Sequence, residues 1–216
     1  MIDLVVVADA DAAARLAAER LAAAARAGGN IVLTGGSTPR RAYELAAELE
    51  PDWSRVDVWW GDERCVPPDD ERSNFGMAKA ALFDRLAVAP RSVHRMESVE
   101  QYARELAGLG AFDLVLLGLG PDGHVASLFP DFPTLDVTDR DVVGSEAGHE
   151  PFVDRITLTL PRLCDTRELL FLVTGEDKAD AVARVLAGEP SRDTPGSLVR
   201  GRTTRAILDR AAAAKL

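Results

Sequence analysis

Residues 112–124 read Phe112-Asp113-Leu114-Val115-Leu116-Leu117-Gly118-Leu119-Gly120-Pro121-Asp122-Gly123-His124. The first six make an apolar run of strand length that stops at a glycine. The remainder is a loop of glycines, a proline, an aspartate and a histidine. A continuous apolar run bounded by turn residues is the pattern of a strand buried on both faces, as in a parallel sheet. The same form recurs on either side of it. Residues 31–33 run into Thr34-Gly35-Gly36-Ser37-Thr38-Pro39, and 56–60 into Gly61-Asp62-Glu63-Arg64. Residues 169–173 run into Thr174-Gly175-Glu176-Asp177-Lys178.

Helical stretches fill the gaps. An alanine-rich segment, 12–27, is closed by Gly28-Gly29, and a second helix runs from the Gly35 loop to residue 49. Further helices are expected over 74–86, over 98–106 and from residue 178 to 186. Residues 4–7 read as a first strand and 206–208 as a short last one. The alternation of Thr with Ile and Leu over 156–160 suits a half-buried strand. Strands alternating with helices imply an α/β fold whose mostly parallel sheet is flanked by helices on both faces, as one domain over 1–216. The irregular stretch 129–154, with its prolines and glycines, is the candidate for a mobile loop.

The chain has 216 residues, of which 47% are hydrophobic and 28% charged, enough apolar material for a core. Its formal net charge of −10 opposes nucleic acid and anionic lipid, and no Lys/Arg cluster offsets it. An anionic substrate would therefore need a local cationic pocket. No apolar run approaches the ~18 residues of a membrane span, and the first residues lack the basic start of a signal peptide. Cys65 and Cys164 show no Cys-x-x-Cys spacing and read as reduced thiols. A cytoplasmic protein, monomeric or weakly dimeric, with no nucleic-acid or membrane partner, is the expectation.

In open α/β sheets ligands bind beyond the carboxyl ends of the strands, so the four loops should converge. The Gly35-Gly36-Ser37-Thr38 loop is either a phosphate cradle, with Ser37 or Thr38 capping the next helix, or an ordinary capped turn. His124 is either structural or a base whose tautomer Asp122 fixes. His94 and His149 lie in sequence contexts without converging polar groups. One histidine and scattered carboxylates do not make the three or four ligands of a metal site. Arg64, Arg155 and Lys178 suit a phosphate, arginine with two-point geometry. Cys65, following Asp62-Glu63-Arg64, is a conceivable but disfavoured nucleophile.

Six blocks also resemble a known family. They are Gly35–Pro39, Trp60-Gly61-Asp62-Glu63-Arg64-Cys65-Val66-Pro67, Ser73-Asn74-Phe75-Gly76-Met77, residues 117–130, residues 155–161, and Leu172-Val173-Thr174-Gly175-Glu176-Asp177-Lys178. In this order they are similar to the glucosamine-6-phosphate isomerase/6-phosphogluconolactonase family over nearly the whole chain. The resemblance implies a modified Rossmann-like fold and hydrolysis of 6-phospho-D-glucono-1,5-lactone in the oxidative pentose phosphate pathway, without metal or other cofactor. It implies His124 as catalytic base with Asp122 beside it. Gly35, Gly36, Ser37, Thr38, Asp62, Arg64, Asn74, Arg155 and Lys178 would bind a sugar-phosphate lactone. The sequence departs from the family at Val125, where Thr is common, and at Asp131, where Gly is usual. The alternative is a glucosamine-6-phosphate deaminase or related sugar-phosphate isomerase. Such deaminases continue Asp-Gly-His with an Asn-Glu pair, whereas here Val125-Ala126-Ser127 follows.

Overall fold

The computed structural model describes residues 2–148 and 150–216. In chain order the regular elements are β1 (Ile2–Val7), α1 (Ala10–Ala27), β2 (Gly29–Leu33), α2 (Ser37–Leu49), β3 (Val56–Trp60), β4 (Asp62–Arg64), α3 (Asn74–Ala81) and β5 (Ser92–Val93). There follow α4 (Val99–Leu106), β6 (Phe112–Leu117), β7 (Val142–Ser145), β8 (Arg155–Leu158), α5 (Leu160–Cys164), β9 (Thr166–Val173), α6 (Ala179–Val182) and β10 (Thr203–Asp209). Seven strands form a wholly parallel sheet in the order β1-β10-β9-β6-β2-β3-β5. Three more, β4-β8-β7, form a small antiparallel sheet.

The apolar runs at the middle of the large sheet are buried from end to end. Ile31, Val32 and Leu33, Leu114 to Leu117, and Leu169 to Val173 are all at most 2% exposed. β2 and β6 are neighbours, yet the chain leaves β2 toward β3 and leaves β6 toward β9, on opposite sides. The boundary between them is the topological switch point, where such sheets open a crevice beyond their carboxyl ends. The loops beginning at Thr34 and Gly118 border that crevice.

Helix α1 begins at an Asp9 cap, whose carboxylate accepts from the Ala12 N–H at 2.9 Å. It ends at Gly28, with φ 81°, a left-handed position that glycine fills without penalty. Its alanines are more than good helix formers. Ala13, Ala14, Ala17, Ala18, Ala22 and Ala25 are buried, and their small side chains bring the helix close to α2 and the sheet.

Several elements differ from the sequence expectation. The helix expected over 74–86 stops at Ala81. There the chain turns to bury Leu82 completely and set Phe83 edge-on to Trp60 at 6.1 Å. The strand expected over 156–160 spans Arg155–Leu158 and pairs in the antiparallel sheet; it stops short because helix α5 begins at Leu160 with Pro161 in its first turn. The helix expected over 178–186 is split into a tight turn at Glu176–Lys178, α6, and a wider turn over 183–187. The last strand is longer than read, seven residues between β1 and β9. The stretch 129–154 contains strand β7. His149 lies outside the described residues. His94 has polar neighbours after all: its ring stacks on Trp59 at 3.7 Å and bonds to Glu105 at 2.7 Å and Ser92 at 3.0 Å.

Candidate active site

Beyond the carboxyl ends of β2, β6 and β9 lies a cavity of about 260 Å³. All of the candidate residues except Asp122 line it: Gly35 to Thr38, Asp62, Arg64, Asn74, His124, Arg155 and Lys178. Asp122 sits behind His124.

The end of β2 is held by Tyr43, a buried residue of α2, whose hydroxyl donates to the Thr34 carbonyl at 2.8 Å and accepts from the Thr34 N–H at 3.0 Å. This clamp sets the direction in which Gly35-Gly36 leaves the strand. Helix α2 then starts at Ser37 with Gly36 as its cap and no side-chain cap. The expectation that Ser37 or Thr38 caps the helix is therefore corrected. Thr38 instead hydrogen-bonds to Thr174 at 3.1 Å, joining this loop to the one after β9. An uncapped helix start facing a cavity offers N–H groups and partial positive charge to an anion.

The loop after β6 carries the candidate base. His124 Nδ1 is 2.5 Å from Asp122 Oδ1, which also accepts the His124 backbone N–H at 3.0 Å. A carboxylate only accepts, so the proton belongs on Nδ1 and the lone pair on Nε2. Burial pushes the Asp122 carboxyl up, but the hydrogen bond and charge of His124 outweigh that and hold it down at about 2. Phe129 flanks the His124 ring at 4.8 Å, and the Arg155 guanidinium lies 5.5 Å from the same Phe129 ring. Ala126, in the cavity wall, takes φ 49°, a left-handed backbone that costs free energy in a residue other than glycine.

The antiparallel sheet contributes the charges. Asp62 and Arg64 alternate with Glu63 on β4, and Arg155 opens β8 directly opposite Arg64. Like charges facing across a strand pair destabilise it. Arg155 is also 3% exposed. Its guanidinium is pulled below the ordinary value by burial; the charge of Asp62 acts the other way and outweighs the further lowering by Arg64. Arg64 is anchored by a 2.7 Å bond from Nη1 to the Arg72 carbonyl, and its buried Nε has no hydrogen-bond partner among the described residues. The Arg155 guanidinium and the buried Nε donor of Arg64, both in the cavity wall, offer an anion a positive charge and a hydrogen bond. Lys178 completes the cationic wall, 3.4 Å from Asp177. The buried Asp62 carboxylate accepts from Ser127 Oγ at 2.6 Å and Asn74 Nδ2 at 3.2 Å.

Sequence reading passed over several contributors. Tyr43 carries no local signal, since only the fold brings it to Thr34. Ser127 and Phe129 lie inside a recognised block, but nothing in the block shows their contacts with Asp62 and His124. Asp209 accepts the Gly175 N–H at 3.1 Å and the Ala212 N–H at 2.7 Å, steadying the loop that carries Lys178. Cys65 is exposed, and its thiol is pushed up by partial burial and by the charges of Asp154 and Glu63, the reverse of what a thiolate nucleophile needs. Among the described residues no group of three or more His, Cys, Asp or Glu could hold a metal, and no helix is long and apolar enough to cross a membrane.

Comparison with known proteins gives a consistent result. A family model described as glucosamine-6-phosphate isomerases/6-phosphogluconolactonase matches residues 7–208. The chain is 40% identical over 248 aligned residues to a 6-phosphogluconolactonase of Streptomyces coelicolor, covering 99% of this chain and 94% of the relative. It is 40% identical over 217 residues to one of Mycobacterium leprae, covering 90% and 88%. A crystal structure of 6-phosphogluconolactonase from Thermotoga maritima superposes with a TM-score of 0.85 at 30% identity, over 97% of this chain and 99% of that one.

Proposed function

The chain belongs to the glucosamine-6-phosphate isomerase/6-phosphogluconolactonase family, and on that premise we propose that it hydrolyses 6-phospho-D-glucono-1,5-lactone to 6-phospho-D-gluconate in the cytoplasm. The observation that carries this reading is the His124–Asp122 pair opening on the same cavity as the opposed arginines, Arg64 and Arg155. One supplies a base for water and the other a seat for an anionic group.

In the proposed mechanism, His124 Nε2 takes a proton from water as the water oxygen attacks lactone carbon C1. The carbonyl electrons move onto oxygen, and Arg64 or loop N–H groups stabilise that oxyanion. One such donor is worth roughly 3–4 kcal/mol in other enzymes. The intermediate collapses by breaking the bond from C1 to the ring oxygen, which takes the proton back from His124. Asp122 stabilises the imidazolium while it exists, and the acid–base share of the rate is about 10²–10⁴-fold. Arg155 and Lys178 hold the 6-phosphate. No step calls on a metal or an organic cofactor.

The test is the decay of freshly made 6-phosphoglucono-1,5-lactone with wild-type protein, with His124→Ala and without protein, since the lactone also opens unaided. Fast decay that falls back toward the buffer rate in His124→Ala is expected. Wild-type decay equal to buffer, together with ammonia release from glucosamine-6-phosphate, would replace this reading with the deaminase.

A further inference from the structure

Glu63 is 6% exposed, ionisable, and takes no part in the mechanism above. It lies between Asp62 and Arg64 on β4, and strand alternation turns it to the other face, so it is absent from the cavity wall. Its carboxylate collects four donors. Oε1 accepts from the Arg64 N–H at 2.7 Å and the Asn74 N–H at 2.8 Å. Oε2 accepts from the Phe75 N–H at 2.7 Å and from Ser73 Oγ at 3.1 Å.

Asn74 and Phe75 are the first two residues of α3, whose N–H groups have no partner within the helix. Ser73 is its cap and receives the Gly76 N–H at 3.0 Å. The carboxylate thus completes the start of α3 while gripping the backbone of Arg64. Asn74, so placed, donates from Nδ2 to the Asp62 carbonyl at 2.9 Å. It also lies so close to Gly35 that a Cβ there would fall 1.8 Å from Asn74 Oδ1. One buried group therefore sets three parts of the cavity in register: the strand with Asp62 and Arg64, the helix start with Asn74, and the glycine loop against which Asn74 rests.

We propose that Glu63 is a positioning residue of the sugar-phosphate site, tying β4 to the start of α3 so that Arg64 and Asn74 meet the ligand in fixed geometry. Its effect falls first on binding, because His124 and Asp122 stand on a separate loop, and reaches the chemical step only through the share of Arg64 in holding the oxyanion. Burial pushes the Glu63 carboxyl up, and the backbone N–H groups counter this only in part, so the carboxylate is held there at a cost that its bonds offset only partly. The substrate named in the test rests on the lactonase reading; the placement of Arg64 and Asn74 does not.

The experiment compares wild type with Glu63→Gln, which keeps the shape but turns an NH₂ toward N–H donors. Three readouts are taken: kcat and KM on 6-phosphoglucono-1,5-lactone, amide hydrogen exchange of ligand-free protein, and inorganic phosphate binding followed by NMR. The expected result is a KM raised about tenfold, the scale of one charge-assisted bond, with kcat lowered by a smaller factor than KM is raised. The Arg64, Asn74 and Phe75 amides should exchange faster, and phosphate should bind more weakly. Faster exchange with unchanged KM and unchanged phosphate affinity would reduce Glu63 to a structural role and overturn the proposal. Unchanged exchange at these amides would overturn it as well. If Glu63→Gln does not fold, Ser73→Ala removes a single donor and should raise KM by a smaller factor; no change there counts against the proposal. A wild type inactive on the lactone would sink the activity reading alone, since exchange and phosphate affinity still decide the role of Glu63.

Discussion

Gly120 offers a way to move the proposed base, His124, without substituting it. A Cβ built on Gly120 would lie 2.1 Å from His124 Nδ1, 2.2 Å from His124 Cε1 and 2.6 Å from Asp122 Oδ1, where real Cβ contacts essentially never fall under 3.0 Å. Clearing the first contact needs 3.0 − 2.1, or about 0.9 Å, of movement by the ring or the loop. The backbone of Gly120 is not in the left-handed region, so alanine is tolerated there and the clash is its principal consequence. A misplacement of about 1 Å in a reacting group costs on the order of 10²-fold in rate. That is about 2.7 kcal/mol of transition-state stabilisation, within the 10²–10⁴-fold span of general acid–base catalysis. The His124 side chain keeps 17% of its surface in solvent, so it has room to swing, and the stability cost should sit near the low end of the ~1–3 kcal/mol for overpacking. Gly120→Ala should therefore lower kcat on the phosphorylated lactone by about 10²-fold while the urea midpoint moves little. A double-mutant cycle with His124→Ala isolates the route. Once His124 is gone, Gly120→Ala should cost almost nothing more. A Gly120→Ala variant with near wild-type kcat, or one whose loss is the same in both backgrounds, would refute the claim that it acts through His124.

Arg155→Ala should raise KM for 6-phosphoglucono-1,5-lactone by roughly 10–100-fold, the scale of one charge-assisted contact, and leave KM for unphosphorylated glucono-1,5-lactone unchanged; equal effects on both substrates would remove Arg155 from the phosphate. Gly35→Ala would push a methyl to within 1.8 Å of Asn74 Oδ1 and 2.4 Å of Asn74 Cγ, costing about 1–3 kcal/mol in urea unfolding, and adding Asn74→Ala should recover part of that stability. Asp122→Asn should cut kcat by about 10²–10⁴-fold. It also has a pH signature. The Asp122 carboxyl is held at about 2 in the fold, below its ordinary value near ~3.9, so its ionised form stabilises the native state above that value. The contribution is lost as pH falls through about 2. The wild-type advantage over Asp122→Asn in unfolding free energy, at most about 1 kcal/mol for a side chain one-third exposed, should shrink as pH falls from ~4 toward about 2; a gap that widens across that window would reverse the assigned sign.

The parallel sheet was legible because each of its central strands is long, apolar and stopped by a glycine, and β3 and β6 fall on the residues expected of them. The antiparallel sheet was not. β4 has three residues, two of them acidic and one basic, too short and too polar for periodicity to register. β7 lies in a stretch whose glycines and prolines read as loop. β8 was visible, but its partners were not, because pairing β4 with β8 joins residues some ninety positions apart, Asp62 with Thr157 and Arg64 with Arg155. Helix 74–86 failed for a different reason. Its later residues have helical propensity, yet burying Leu82 and meeting Trp60 with Phe83 outweighs continuing the helix.

This division of the fold bears on how the site works. The parallel sheet presents groups that depend on backbone: the glycine loop at the start of α2, and the tight turn that brings His124 onto Asp122. The antiparallel sheet presents groups that depend on charge: Asp62, Arg64 and Arg155, fixed against one another by register. Local sequence can announce the first kind, since a glycine or an Asp-Gly-His turn works through neighbours in the chain. The second kind exists only after folding, because an arginine is an ordinary surface residue until a strand pairing sets another opposite it. Glu63, buried behind the strand, holds β4 in the register that sets Arg64 opposite Arg155. The cavity wall shared by Arg64, Arg155 and Lys178 gives a chain of net charge −10 one local cationic surface, the place where the proposed phosphorylated substrate would be drawn.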